Sequence, residues 1–235
     1  MSPRKNVVVI GANRGIGLEF VRQWLAGGHR VIGTARRPRE AAELAAMKKP
    51  SGDRLAVLEL DVADDRSVAK FARALHFEAI DILINNAGVL LDEGRAWTRL
   101  DPAKMLETLN VNSIGPLRLT NAVRPMLAAA GRALVVNISS GAGSIAEADP
   151  SDTMVAYRMS KSALNMANRS VAAGLARDHI VSVAMCPGWV RTDMGGPHAH
   201  LSVAESVAVM MATIARLTLR DAGRFIDRNG IDIPW

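Results

Sequence analysis

Cysteine occurs once in the 235 residues, at Cys186, which excludes an internal disulfide and suits a reducing compartment. One thiol cannot build a zinc cluster without several histidines. The five histidines are scattered apart from His198 and His200, which read as loop polars, so no metal site is expected. Aromatic residues make up only 4% of the chain, so a core must be built from Ala, Val, Leu, Ile and Met within a hydrophobic content of 49%. No window approaches the roughly 18 apolar residues of a membrane helix. The apolar run at residues 7–11 is too short for a secretory leader. Runs of like charge are missing too. The arginines are dispersed, and no aromatics interleave with them for base stacking. The net charge of +6 therefore reads as a basic surface, part of it serving a phosphorylated small molecule. These absences predict a cytoplasmic protein with no membrane or nucleic-acid partner.

Apolar, β-rich runs alternate with helical ones along the chain. Strands are predicted at residues 6–10, 30–34, 55–60, 80–84, 133–138, 180–185 and from 224 to 226. Helices are predicted at 15–26, near 40–47, from Asp64 to about His76, at 155–177 and at 203–217. A turn is expected at 49–52. One long helix is predicted over 102–129, with Asp101 as N-cap, Pro102 in its first turn and a kink at Gly115-Pro116. Short buried strands between helices mean an α/β fold. The expected architecture is a single Rossmann-type, doubly wound parallel sheet of about seven strands with helices on both faces, in one domain over 1–235.

Directly after the first strand comes Gly11-Ala12-Asn13-Arg14-Gly15-Ile16-Gly17. Glycines let the backbone turn tightly against a pyrophosphate, and the following helix start offers free N–H groups and a positive dipole end. The alternative is an ordinary glycine-rich turn. The second strand runs into Arg36 and Arg37, where an acidic residue would bond the ribose of NAD. With Arg14 in the loop, these guanidinium groups suit a phosphate and argue for NADP(H). A solvated surface pair is the bland alternative.

Tyr157 and Lys161 stand four residues apart in a helical stretch, so both lie on one face. A free phenol has a pKa near 10. Bringing it to about 7 takes roughly 4 kcal/mol of stabilisation of the phenolate, and a neighbouring lysine charge has the right sign. Alone, this spacing is a weak signal.

Taken together, the chain resembles the short-chain dehydrogenase/reductase family. The likeness rests on the glycine spacing, Asn85-Asn86-Ala87-Gly88, Asn112, Ser139-Ser140, Tyr157-x3-Lys161 and Pro187-Gly188, in family order over essentially the whole chain. A narrower resemblance is to the C-factor and sniffer-type carbonyl reductases, through residues 11–17, 112–117, 186–196 and the closing Ile233-Pro234-Trp235. The resemblance implies Tyr157 as general acid/base, and Lys161 as the group that lowers its pKa and binds the nicotinamide ribose. It implies Ser140 as the hydroxyl that holds the substrate oxygen, and Asn112 as the anchor of a relay water. Asp61 and Val62 match an adenine contact. Asn86 and Gly88 match the floor near the ribose and Val190 and Thr192 the carboxamide contacts, with Ala87, Pro187 and Gly188 also implied as cofactor-binding residues. The turn residues Gly11, Asn13, Arg14, Gly15, Ile16 and Gly17 match the pyrophosphate cradle.

Each has a plainer alternative. Ser139 and Ser140 can exchange roles, Asp61 can end a strand, and Thr192 and Asp193 can cap the next helix. Ile10 departs from the family's usual threonine, which removes a loop hydrogen bond. Trp97, Met154, Trp189 and Met194 are candidate pocket residues or plain core. The polar stretch 141–156, with Asp149-Pro150-Ser151-Asp152, is expected to rim the substrate site. The implied activity is NADPH-dependent reduction of an aldehyde or ketone by a homodimer or homotetramer. A cofactor-binding regulator and an NAD-dependent alcohol dehydrogenase are the competing readings.

Overall fold

A computed structural model describes residues 3–148 and 151–235. Met1, Ser2, Asp149 and Pro150 lie outside the described residues. Seven strands, β1 (Asn6–Ile10), β2 (Arg30–Ala35), β3 (Leu55–Glu59), β4 (Ile82–Asn85), β5 (Ala133–Ile138), β6 (Ile180–Cys186) and β7 (Phe225–Asp227), form one sheet. All neighbours pair in parallel, in the order β3-β2-β1-β4-β5-β6-β7. The helices are α1 (Gly15–Ala26), α2 (Ala42–Ala46), α3 (Lys48–Ser51), α4 (Asp65–Ala74), α5 (Pro102–Leu109), α6 (Gly115–Ala128), α7 (Val155–Ala176) and α8 (Val203–Ile214). The chain leaves β1 toward one edge and returns to β4 on the other side. The crevice of such a sheet opens there, beyond the carboxyl ends of the strands.

Both faces of the sheet are covered, so the strands are apolar without alternation. Val7 and Val9 of β1 join Phe20 and Trp24 of α1 and Val207, Met210 and Ile214 of α8. Val8 and Ile10 point the other way, to Phe71 of α4 and Leu119, Val123 and Leu127 of α6. Burying a side chain such as Leu83 or Ile84, both fully inaccessible, contributes about 2 kcal/mol.

Three local expectations are corrected. The single helix near 40–47 is a short turn at Pro38–Glu40 followed by α2, because Ala41 between them leaves helical geometry (φ −86, ψ 65). The turn at 49–52 is instead the one-turn helix α3. Pro50 sits in its first turn, where no intrahelical N–H is needed, and Gly52 ends it at φ 56. The kinked helix over 102–129 divides into α5 and α6 around a wide π-type turn, Asn110–Ile114, in which the Gly115 N–H reaches the carbonyl of Asn110. Pro116 has no N–H, so the carbonyl of Asn112 is denied its α-helical donor. Among the caps, Asp64 and Asp101 accept from Arg66 and Ala103. The cap of α8 is Ser202, boxed with Glu205, rather than Thr192 or Asp193.

Candidate active site at the carboxyl ends of the strands

The glycine turn is built by close approach. Gly11 has φ 69, and a β-carbon on it would sit 2.9 Å from the Cα of Ala87; one on Gly17 would sit 2.2 Å from the carbonyl oxygen of Gly11. Asn86 locks the turn from β4, its Nδ2 donating to the carbonyls of Ile10 and Gly11 at 3.2 and 2.9 Å. The hydrogen bond absent at Ile10 is replaced from β2. Gly11 N–H donates to the buried Thr34 Oγ1 at 3.2 Å, and Ala12 N–H to the Thr34 carbonyl at 2.7 Å. Sequence reasoning missed Thr34; the signal available was a polar residue inside an apolar strand. Gly15 has φ 55 and faces Thr192, whose methyl would lie 3.3 Å from an added β-carbon. The start of α1 has no side-chain cap and no acidic residue in its first turn. Bare backbone beside free N–H groups is a cradle that fits a dinucleotide pyrophosphate.

The exposed arginines stand around this turn. Arg36 and Arg37 leave the end of β2, Arg37 3.3 Å from Glu40. Arg14 pairs with Asp193 across the mouth of the crevice, joining the glycine turn to the segment after β6. Asp61 folds back on its own loop, its Oδ1 accepting from Ala63 N–H at 2.9 Å. Val62 is buried against Gly115, whose missing side chain lets α6 begin there. Asn13 is exposed on the turn, Val190 is buried and bridges Leu201, and Thr192 Oγ1 accepts from Gly195 N–H at 3.0 Å. Pro187 is buried, its carbonyl accepting from Ser206, and Gly188 turns the chain at φ 82.

Beyond the turn, the ends of β4, β5 and β6 meet the first turns of α7. The two serines separate by partner. Ser139 is buried and donates to Asn165 Oδ1 of α7 at 2.6 Å. Ser140 is half-buried, accepts from Ala142 N–H at 3.2 Å and reaches the Tyr157 phenol. Asn112 is fully buried. Its amide pairs with both the N–H and the carbonyl of Val89, at 2.8 and 2.9 Å, and donates to Ser160 Oγ at 2.9 Å. Its side chain therefore fixes the segment after Gly88 to α7. Ser160, which sequence reasoning missed although it stands between Tyr157 and Lys161, donates to the Tyr157 carbonyl at 2.7 Å.

Lys161 Nζ donates to the carbonyl of Ile138 at 2.9 Å and lies 5.6 Å from the centre of the Tyr157 ring. Gly143 makes room for it, since a β-carbon there would fall 2.9 Å from its Cβ. Burial dominates both groups. It pushes the Tyr157 phenol up to about 12, with Ser140 pulling the other way, and Lys161 down to about 8. The sequence expectation was a phenol lowered by the lysine charge. In the fold, burial of the phenol, with the Cys186 thiol acting the same way, raises it against the Ser140 hydrogen bond. The Cys186 thiol beside them is also pushed up by burial, against hydrogen bonds from the N–H groups of Gly188 and Gly141.

Trp97, Trp189 and Met194 are exposed rather than core, and Trp189 Nε1 donates to the Gly195 carbonyl at 2.8 Å. Among the described residues there is no His/Cys/Asp/Glu group able to hold a metal ion, and no helix long and apolar enough to cross a membrane.

A doubly wound sheet with a glycine cradle at its switch point and a Ser/Tyr/Lys centre two strands away defines a dinucleotide-binding α/β protein. The model of the short chain dehydrogenase family matches residues 5–200, and the chain belongs to that family. C-signal of Myxococcus xanthus is 43% identical over 159 residues, 66% of this chain and 93% of that protein. Two solved structures superpose closely. Carbonyl reductase Sniffer of D. melanogaster gives a TM-score of 0.91 at 31% identity, covering 99% of this chain and 100% of that one. The NADPH-bound carbonyl reductase from chicken fatty liver gives 0.92 at 35%, covering 99% of each chain.

Proposed function

We propose that the chain is an NADPH-dependent carbonyl reductase that converts an aldehyde or ketone to an alcohol. The observation that carries this is the convergence of Ser140, Tyr157 and Lys161 beside the glycine cradle. Residues 11–17 would hold the pyrophosphate, Arg36 and Arg37 the 2′-phosphate, Asp61 and Val62 the adenine side, and Asn86, Ala87, Gly88 and Lys161 the nicotinamide ribose. Pro187, Gly188, Val190 and Thr192 would hold the carboxamide. The cofactor, when bound, supplies hydride.

The protein's part is to hold and protonate the oxygen. Ser140 and Tyr157 bond the substrate carbonyl and stabilise the charge that develops on it. A phenol near 12 is fully protonated at neutral pH, as an acid must be. It also passes its proton downhill to an alkoxide, whose conjugate acid resembles water at about 15.7. Lys161, near 8, exchanges protons close to neutrality and, with a water on the Asn112 carbonyl, restores the phenol. We also take the exposed Leu106, Ile114, Met159 and Met166 as a pairing face for a homodimer or homotetramer, which a monomeric sedimentation profile would refute.

A second reading is favoured by the similarity to C-signal: a regulator that binds the cofactor as a ligand with little turnover. Titration with NADPH and NADH, followed by a panel of aldehydes and ketones, separates the readings. The reductase binds NADPH more tightly and oxidises it with at least one carbonyl substrate. Tight binding without oxidation supports the regulator, and a preference for NADH overturns the arginine assignment.

A further inference from the structure

Tyr157 sits in the first turn of α7, and that helix has no local cap. Met154, just before it, is in the left-handed region at φ 57, unfavourable for a residue with a β-carbon, and its side chain bonds nothing in the first turn. The cap comes from 64 positions away. Asp92 Oδ2 accepts from Ala156 N–H at 2.7 Å, and the side chain is only 3% exposed. A carboxylate at this end also faces the positive pole of the helix. Its other oxygen, Oδ1, is buried with no partner among the described residues, beside a cavity of about 10 Å³ that Arg95 and Lys104 help to line. A half-satisfied buried carboxylate is costly, and its retention calls for an explanation. The same two segments are joined again by a bridge between Ala96 and Thr153 and by Trp97 N–H donating to the Asp152 carbonyl at 2.8 Å.

We propose that Asp92 is a positioning residue for the reaction: by capping α7 across the fold, it fixes the turn that aims the Tyr157 phenol at Ser140 and Lys161. The inference rests on the reading of Tyr157 as proton donor, yet it has a readout independent of turnover. The chain contains one tyrosine, so ring-labelled tyrosine gives a single resonance that reports Tyr157 directly. The groups facing the phenol, namely Ser140, Lys161 and Cys186, are untouched by substitution at Asp92.

The experiment compares wild type, Asp92→Ala and Asp92→Asn by resonance position, by the pH at which the tyrosine ionises, and by kcat. In Asp92→Ala, the resonance is expected to shift or split, ionisation to begin at lower pH as the phenol gains access to water, and kcat to fall roughly ten- to a hundredfold, with the NADPH Kd within about twofold. Asp92→Asn keeps an oxygen for the Ala156 N–H, and is expected to restore the resonance and bring kcat to within about threefold of wild type. If Asp92→Ala does not fold, Asp92→Val, which also lacks an acceptor, takes its place with the same expectations. A wild-type resonance and kcat in the Ala or Val variant overturn the proposal, as does an Asn variant no better than it. A parallel Tyr157→Phe variant that keeps full turnover would instead overturn the role of Tyr157, while the resonance in Asp92→Ala still decides the positioning.

Discussion

Replacing Lys161 with methionine and measuring urea unfolding from pH 7 to 9.5 tests the burial of the charge at the candidate active site. Lys161 is 5% exposed and its ammonium falls from the ordinary 10.5 to about 8 because burial disfavours the charged form. That difference corresponds to about 3 kcal/mol lost from wild-type stability at neutral pH. The folded value lies below the unfolded one, so between about pH 8 and 10.5 the unfolded chain binds more protons and stability rises with pH; below about pH 8 the cost is present in full. Methionine cannot titrate. Its other effects, such as losing the bond to the Ile138 carbonyl, are constant across this range to first order. Wild type should therefore gain about 2 kcal/mol relative to Lys161→Met between pH 7 and 9.5. A difference that stays flat to within about half a kcal/mol would show that the ammonium is solvated in the folded state, and the environment described for Tyr157 would fail with it.

Three further outcomes follow from the geometry. Ser140→Ala should lower kcat about a hundredfold with little change in unfolding, whereas Ser139→Ala, which orphans the buried Asn165 Oδ1, should cost about 1–3 kcal/mol in urea unfolding and keep kcat within a few-fold. The opposite pattern would exchange the two serines. The double change of Arg36 and Arg37 to Glu should weaken NADPH binding by at least about tenfold, or 1.4 kcal/mol, and leave NADH within about threefold; equal losses would refute a 2′-phosphate role. Gly17→Ala drives a β-carbon into the Gly11 carbonyl, so NADPH fluorescence titration should show binding weakened at least about a hundredfold, and wild-type affinity would contradict the cradle.

What was legible in the sequence is what local pattern determines. The strand runs, the glycine turn and the Tyr157/Lys161 pair each lie within a few residues, and they fall close to where their spacing places them, the fourth strand starting at Ile82 rather than at 80. The rest depends on contacts between distant segments. Nothing near Met154 announces that Asp92 caps α7, and nothing near Gly11 announces Thr34. The choice between Ser139 and Ser140 waited on which one α7 covers. The kink was placed near the right proline, but its form as a π-type turn reflects Asn112 being held by Val89 and Ser160. For the phenol, the spacing displays the lysine charge and hides the burial that raises the tyrosine and lowers the lysine.

The central claim is that Tyr157 donates the proton in carbonyl reduction, and its direct test is turnover by Tyr157→Phe. NADPH oxidation is followed by absorbance on the best substrate of the panel, with the NADPH Kd measured in parallel. Turnover should fall by about a thousandfold or more while the Kd changes less than about threefold. A Phe variant that turns over within a few-fold of wild type would contradict it.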